Sequence, residues 1–210
     1  MRIYLNEELP LFIFVKLYEF KVIALKLLIL DFHDSFTYNL SHYFESLGTE
    51  VVVCSDDLLN PCDLKDYTHI VLSPGPGLPE EKKNLFIVIQ QCVGKKPILG
   101  VCLGMQGIAE FSGGELYNLD QVKHGVSEEI FLQTDSKLFK EFPESIQAGL
   151  YHSWAVRRLE VTGLRVTAKN SEGVVMAFED AEKQLYGVQF HPESIMTEEG
   201  KKILQNFLDS

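Results

Sequence analysis

The sequence predicts an α/β fold, a mostly parallel central sheet flanked by helices. Short apolar runs recur at 27–30, 69–73 and 97–101, and amphipathic helical patterns separate them. The leading run, Leu27 to Leu30, is apolar throughout and lacks the alternation of a half-exposed strand, as expected for a strand buried on both faces. Strand, helix, strand, helix at these lengths is the rhythm of parallel strands joined by helical crossovers.

The elements follow in order. Leu27 to Leu30 is the first strand. The Asp34-Ser35 pair can cap the next helix, whose apolar face is Phe36, Leu40, Phe44 and Leu47. Gly48 suits the position just past its end. Val51 to Cys54 is the second strand. His69 to Ser73 is the third and runs into Pro74-Gly75-Pro76-Gly77. Residues 81–92 read as a helix and 97–101 as a strand, and another helix should begin just after Cys102. The second half is richer in strand, at roughly 122–131, 146–151, 164–169, 173–179 and 184–190. A helix from Thr197 to Leu208, with Thr197 as N-cap, closes the chain. Glu199 comes too early to complete a capping box with it.

Neither repeats nor low-complexity linkers divide residues 26–210, so they are expected to form one domain. Residues 1–25 are an atypical extension, apolar but broken by Glu7, Glu8, Lys16 and Glu19. They lack the regions and cleavage site of a signal peptide. Two hypotheses fit them: a start-site artefact with translation beginning near Leu25, or a real extension that packs on the domain or a partner. Mass spectrometry of the native N-terminus separates the two, since a native Met1 excludes the artefact.

A formal net charge of −11 makes phosphate backbones and anionic membranes poor partners. Solubility alone is a sufficient reason for the acidic surplus. No apolar run approaches the roughly 20 residues of a membrane span. The four cysteines, Cys54, Cys62, Cys92 and Cys102, form no C-x-x-C pair and have no zinc-site spacing. Reduced thiols in the cytoplasm fit them better than a secreted disulfide framework.

Gly100-Val101-Cys102-Leu103-Gly104 follows an apolar strand and precedes a helical pattern, the arrangement of a nucleophile elbow with Cys in place of Ser. Such a turn lifts the side chain above the carboxyl edge of the sheet, where open α/β folds bind ligands. The helix N-terminus favours a thiolate, and the N–H of Leu103 would face a developing oxyanion. The rival reading is a buried structural cysteine, the reading given to Cys54, Cys62 and Cys92.

A thiol nucleophile needs a base, and the base needs an orienting group. Gln189-Phe190-His191-Pro192-Glu193 offers both. In an extended segment His191 and Glu193, two apart, share a face, and Pro192 stiffens the spacer. The rival is a strand-end His beside a solvated Glu. Ser73-Pro74-Gly75-Pro76-Gly77 is the third element. Its glycines allow close backbone approach, so it can present N–H groups to an oxyanion; alone, it is only a Pro-Gly turn.

Together these segments resemble the class I glutamine amidotransferases, and within them the glutaminase components of anthranilate and aminodeoxychorismate synthases. The carrying segments are DSFTYNL (34–40), SPGPG (73–77), GVCLGMQ (100–106), KHG (123–125), YHSW (151–154) and GVQFHPESI (187–195). The resemblance covers about residue 26 to the C-terminus and implies a flavodoxin-like fold. It also implies that Cys102 attacks the glutamine carboxamide to form a γ-glutamyl thioester, that His191 handles the protons and that Glu193 orients His191. By the same resemblance, the N–H groups of Leu103 and Gly75 form the oxyanion hole, and Gly77 of the 73–77 loop belongs to the same oxyanion and substrate-binding set. Gln106 and the backbone of Ser153 and Trp154 hold the amino-acid end of L-glutamine. No metal or organic cofactor is implied for the glutaminase half. The implied partner is a chorismate-binding synthase subunit in trans, since the chain is too short to carry its own synthase domain.

The chain departs from this branch at Met105 (often His), Leu150 (often Arg), Val126 (commonly Lys) and Phe32-His33. None is a residue of the implied triad, and several are expected near the partner-facing side. His33, His42 and His69 read as surface or packing residues, whereas His124 and His152 could equally be structural or shape the pocket or the subunit contact. Two other functions stay open: an amidotransferase serving another acceptor, such as a nucleotide or sugar, and a non-catalytic interaction subunit that keeps the fold. The intact Cys102, His191 and Glu193 argue against the second.

Overall fold

The computed structural model describes residues 25–210; residues 1–24, and with them nearly all of the expected extension, lie outside the described residues. The described elements are β1 (Lys26–Asp31), α1 (Thr37–Ser46), β2 (Glu50–Ser55), β3 (His69–Leu72), α2 (Leu85–Cys92), β4 (Ile98–Val101), α3 (Leu103–Phe111), β5 (Glu115–Leu132), β6 (Ser145–Arg157), β7 (Arg165–Asn170), β8 (Val175–Asp180), β9 (Leu185–Val188) and α4 (Gly200–Leu208). No helix among the described residues is long and apolar enough to cross a membrane.

The nine strands form one sheet in the order β2-β1-β3-β4-β9-β8-β7-β5-β6. The first five are parallel, in the 2-1-3-4-5 order of flavodoxin-like folds with β9 in fifth place. The strand-rich second half adds β8, β7, β5 and β6, each antiparallel to its neighbour.

The uninterrupted apolar runs have a simple cause. Leu27 and Ile29 of β1 point into one core and Leu28 and Leu30 into the other. In the same way Leu99 and Val101 of β4 face one side and Ile98 the other. The first core is closed by Leu40 and Phe44 of α1 and by Ile203 and Phe207 of α4. The second is closed by Leu85, Val88 and Ile89 of α2 and by Leu103 and Ile108 of α3. Each such buried side chain stabilises the fold by about 1.5–3 kcal/mol.

Four boundaries differ from the sequence expectation, each through a contact that local pattern does not carry. The helix expected over 81–92 begins at Leu85, because the carboxylate of Asp56 accepts hydrogen bonds from the N–H groups of Lys83 and Asn84 at 2.7 and 2.8 Å. Asp34 does not cap α1 directly. Its carboxylate accepts from Phe36 N–H at 2.8 Å, forming a turn before the helix starts at Thr37. Thr197 is no N-cap either: α4 starts at Gly200 behind Glu199, which is in the left-handed region (φ 54°). Finally, β5 begins at Glu115 rather than near 122, pairing with the far end of β6 from Glu115 opposite Arg157.

Candidate active site

Cys102 stands between β4 and α3 with φ 51° and ψ −102°, a conformation costing about 1–3 kcal/mol for a residue with a side chain. Its N–H extends the parallel ladder by donating to Val188 O at 2.8 Å. The flanking glycines are required by space. A Cβ on Gly104 would lie 2.2 Å from the carbonyl oxygen of Leu72 in β3, and one on Gly100 would lie 2.4 Å from the Gly104 backbone. Strand and helix backbones thus touch at the turn, and the side chain between them is driven upward.

His191 and Glu193 follow β9, the strand paired with β4. Both are 2% exposed, and His191 Nδ1 lies 2.7 Å from Glu193 Oε1. A carboxylate only accepts, so Nδ1 carries the proton. The two residues meet for a different reason than the sequence suggests. β9 ends at Val188, and His191 to Ser194 is a turn closed by the Ser194 N–H donating to His191 O at 3.1 Å. Two hydrogen bonds fix the backbone of His191: its N–H donates to Gly149 O at 3.1 Å, and its carbonyl accepts from Thr197 Oγ1 at 2.6 Å. The rings of Tyr151 and Phe36 stand edge-on to the imidazole at 4.9 and 5.5 Å.

Burial pushes the His191 imidazole down. Cys102 and Glu193 together outweigh it and hold His191 well above the ordinary histidine range. Nε2 has no well-formed hydrogen bond. The sulfur of Cys102 lies close enough to raise the imidazole without reaching good hydrogen-bond geometry.

In front of the thiol lies a cavity of about 360 Å³ lined by Gly75, Gly77, Cys102, Gln106, Ser153 and Trp154, together with Pro76, Leu78, Tyr151 and His152. This size suits a small amino acid. Six of the expected site residues thus line one cavity; His191 and Glu193 do not line it but lie buried beside Cys102, and the side chain of Leu103, 1% exposed, packs into the core. Its N–H heads α3, where the first turn has no intrahelical acceptor. A larger groove of about 530 Å³ along 117–123 and Glu172 holds none of the expected residues, so size alone misidentifies the site.

Two polar residues complete the surroundings. Gln189, wholly buried, reaches Cys102 Sγ with Nε2 at 3.5 Å. Sequence reasoning assigned it no role; its signal was an amide in an otherwise apolar strand ending. His152, 5% exposed, donates from Nδ1 to Trp154 O at 2.8 Å. Burial, against the effect of that bond, keeps its imidazole below the ordinary histidine range. Among the departures from the branch pattern, Met105 and Leu150 are wholly buried core residues. Val126 and His33 are on the surface.

A sheet that lifts a strained cysteine to the head of a helix, over a cavity of amino-acid size, defines the α/β enzymes of thiol-dependent acyl transfer. The chain belongs to the class I glutamine amidotransferases, whose family description, "Glutamine amidotransferase class-I", matches residues 28–210. It is similar to a Haemophilus influenzae protein provisionally named anthranilate synthase component II, at 43% identity over 88% of this chain and 96% of that one. It is also 38% identical to the Bacillus subtilis "Aminodeoxychorismate/anthranilate synthase component 2", over 88% of this chain and 96% of the relative. A solved Thermoplasma acidophilum structure shares the fold with a TM-score of 0.81 at 23% identity, covering 89% of this chain and 93% of that one.

Proposed function

We propose that Cys102, His191 and Glu193 carry out glutamine hydrolysis and that the ammonia goes to a chorismate-binding synthase subunit acting in trans, as in component II of anthranilate synthase. The observation that carries the residue assignment is the buried 2.7 Å His191–Glu193 pair beside a thiol on a strained turn. Cys102 Sγ attacks the carboxamide carbon, and the carbonyl oxygen becomes an oxyanion facing the N–H groups of Leu103 and Gly75. The protonated His191 gives its Nε2 proton to the leaving nitrogen, the C–N bond breaks, and ammonia departs from a γ-glutamyl thioester. His191 then takes a proton from water, which attacks the thioester and releases glutamate and the thiol.

Gln106 donates from Nε2 to both Trp154 O and Gln189 Oε1, at 3.0 and 3.2 Å, so its own carbonyl oxygen is the atom left for substrate. An acceptor there suits the α-ammonium of glutamine, with the backbone of Ser153 and Trp154 beside it. A nucleophilic thiol must stay reduced, which fits a cytoplasmic setting.

The acceptor assignment is supported by the similarity to component II proteins over nearly their whole length. The same role in aminodeoxychorismate synthesis is the second reading, supported by the double name of the Bacillus subtilis relative. The test uses the partner captured from the native source, with chorismate. Cys102→Ser should abolish glutamine-dependent amination and leave ammonia-dependent amination intact, and the product identifies the branch. Glutamine-dependent product from Cys102→Ser would refute the nucleophile; failure to capture a chorismate-using partner would refute the destination.

A further inference from the structure

We propose that Gln189 is a further catalytic residue, whose side-chain amide donates from Nε2 to the sulfur of Cys102 and stabilises the thiolate. This rests on the reading of Cys102 as the nucleophile. Side-chain amides can ordinarily be placed either way round, because their N and O ends look alike. Here a backbone atom decides. The carbonyl oxygen of Trp154 only accepts, so the end of Gln106 that meets it at 3.0 Å must be the NH₂ group. The second hydrogen of that NH₂ points to Gln189 at 3.2 Å, so the end of Gln189 facing it must be the oxygen. The other end of Gln189, 3.5 Å from Cys102 Sγ, is therefore its NH₂. The chain of amides has one consistent polarity, and it ends as a donor aimed at sulfur.

The setting makes that donor strong. Gln189 is wholly buried, Gln106 is 3% exposed and Cys102 7% exposed, so water competes little for any of them. A donor to a charged acceptor in such surroundings is worth more than one between neutral groups. Trp154 O also accepts from His152 Nδ1 at 2.8 Å, so the origin of the chain is held from two sides. The facing titratable group is His191, backed by Glu193. Gln189 thus supplies a fixed, uncharged donor that does not change with pH, while His191 cycles its proton.

The test reads thiolate directly. Iodoacetamide alkylation of Cys102 is followed by mass spectrometry across pH, which separates it from Cys54, Cys62 and Cys92. Gln189→Leu should move the midpoint of the alkylation profile upward by about one pH unit, roughly a tenfold loss of thiolate below the midpoint. Gln106→Leu, which releases the Gln189 amide to rotate, should move it the same way by less. An unchanged profile in folded Gln189→Leu overturns the proposal. If that variant does not fold, Gln106→Leu decides: an upward shift supports the proposal and an unchanged profile overturns it. A Cys102 essential for hydrolysis yet indifferent to both substitutions would refute this inference alone; hydrolysis surviving in Cys102→Ser would refute the underlying reading.

Discussion

Thr197 sits six residues beyond His191 and holds it in place: its hydroxyl donates to His191 O at 2.6 Å and accepts from Gly149 N–H at 3.0 Å. One side chain thus ties the turn bearing the imidazole to β6. Thr197→Val keeps the shape but removes both bonds, leaving the buried Gly149 N–H without its partner and His191 O with only the Ser194 N–H. It should cost about 1–3 kcal/mol in urea denaturation and lower glutamate release, and Thr197→Ser should restore most of both. Wild-type stability in Thr197→Val would refute the clamp.

Glu193 should matter through the orientation of its neighbour. Glu193→Gln replaces an acceptor-only carboxylate by an amide that can present N–H to Nδ1, favouring the wrong tautomer. We expect kcat for glutamine hydrolysis to fall by about a hundredfold or more, with a smaller change in KM. A loss confined to KM would assign Glu193 to substrate binding instead.

The pH dependence of stability has a defined sign. Folded His191 titrates well above 6.5, because Cys102 and Glu193 outweigh the opposing effect of burial. Its stabilisation is therefore fully present below about pH 6.5 and is lost as pH rises through the folded value. In urea titrations, the stability gap between wild type and Glu193→Gln should be widest near pH 6 and shrink toward pH 9. A gap that widens with pH contradicts the charged pair.

The turn itself can be tested by size alone. A methyl group on Gly104 would sit 2.2 Å from Leu72 O and 2.7 Å from Leu72 Cβ, forcing α3 away from β3. Gly104→Ala should destabilise by about 1–3 kcal/mol and reduce hydrolysis further, by displacing Cys102. A stable, fully active Gly104→Ala would mean that the helix can shift without moving the thiol.

The sequence carried the parallel half of the sheet well, because Leu27–Leu30 and the 69–73 and 97–101 runs need only local apolarity to declare themselves. The elbow was legible for the same reason: glycine, cysteine and glycine lie within five residues. Features made by distant contacts were not. The delayed start of α2 depends on Asp56, 27 and 28 residues before the N–H groups it binds. The early start of β5 depends on pairing with β6. Gln189 looked like one polar residue in an apolar stretch; only the folded arrangement, 87 positions back to Cys102, gives it a partner. The side-by-side placement of His191 and Glu193 was anticipated for the wrong local reason, a straight segment where the chain in fact turns.

Cys102 and Gln106 lie one turn apart on the same rigid stretch, with the Gln106 N–H donating to Cys102 O at 3.0 Å. If these residues hold the two ends of the substrate, their separation is a gauge. Asparagine carries the same carboxamide and the same amino-acid group but is one methylene shorter. With its amino-acid end seated, its carbonyl would stop short of the sulfur, and a misplacement of about 1 Å can cost around a hundredfold in rate. Selectivity for glutamine would then be a matter of reach, set by the rise of a helix, and asparagine should bind without being turned over, acting as a competitive inhibitor in the glutamate-release assay.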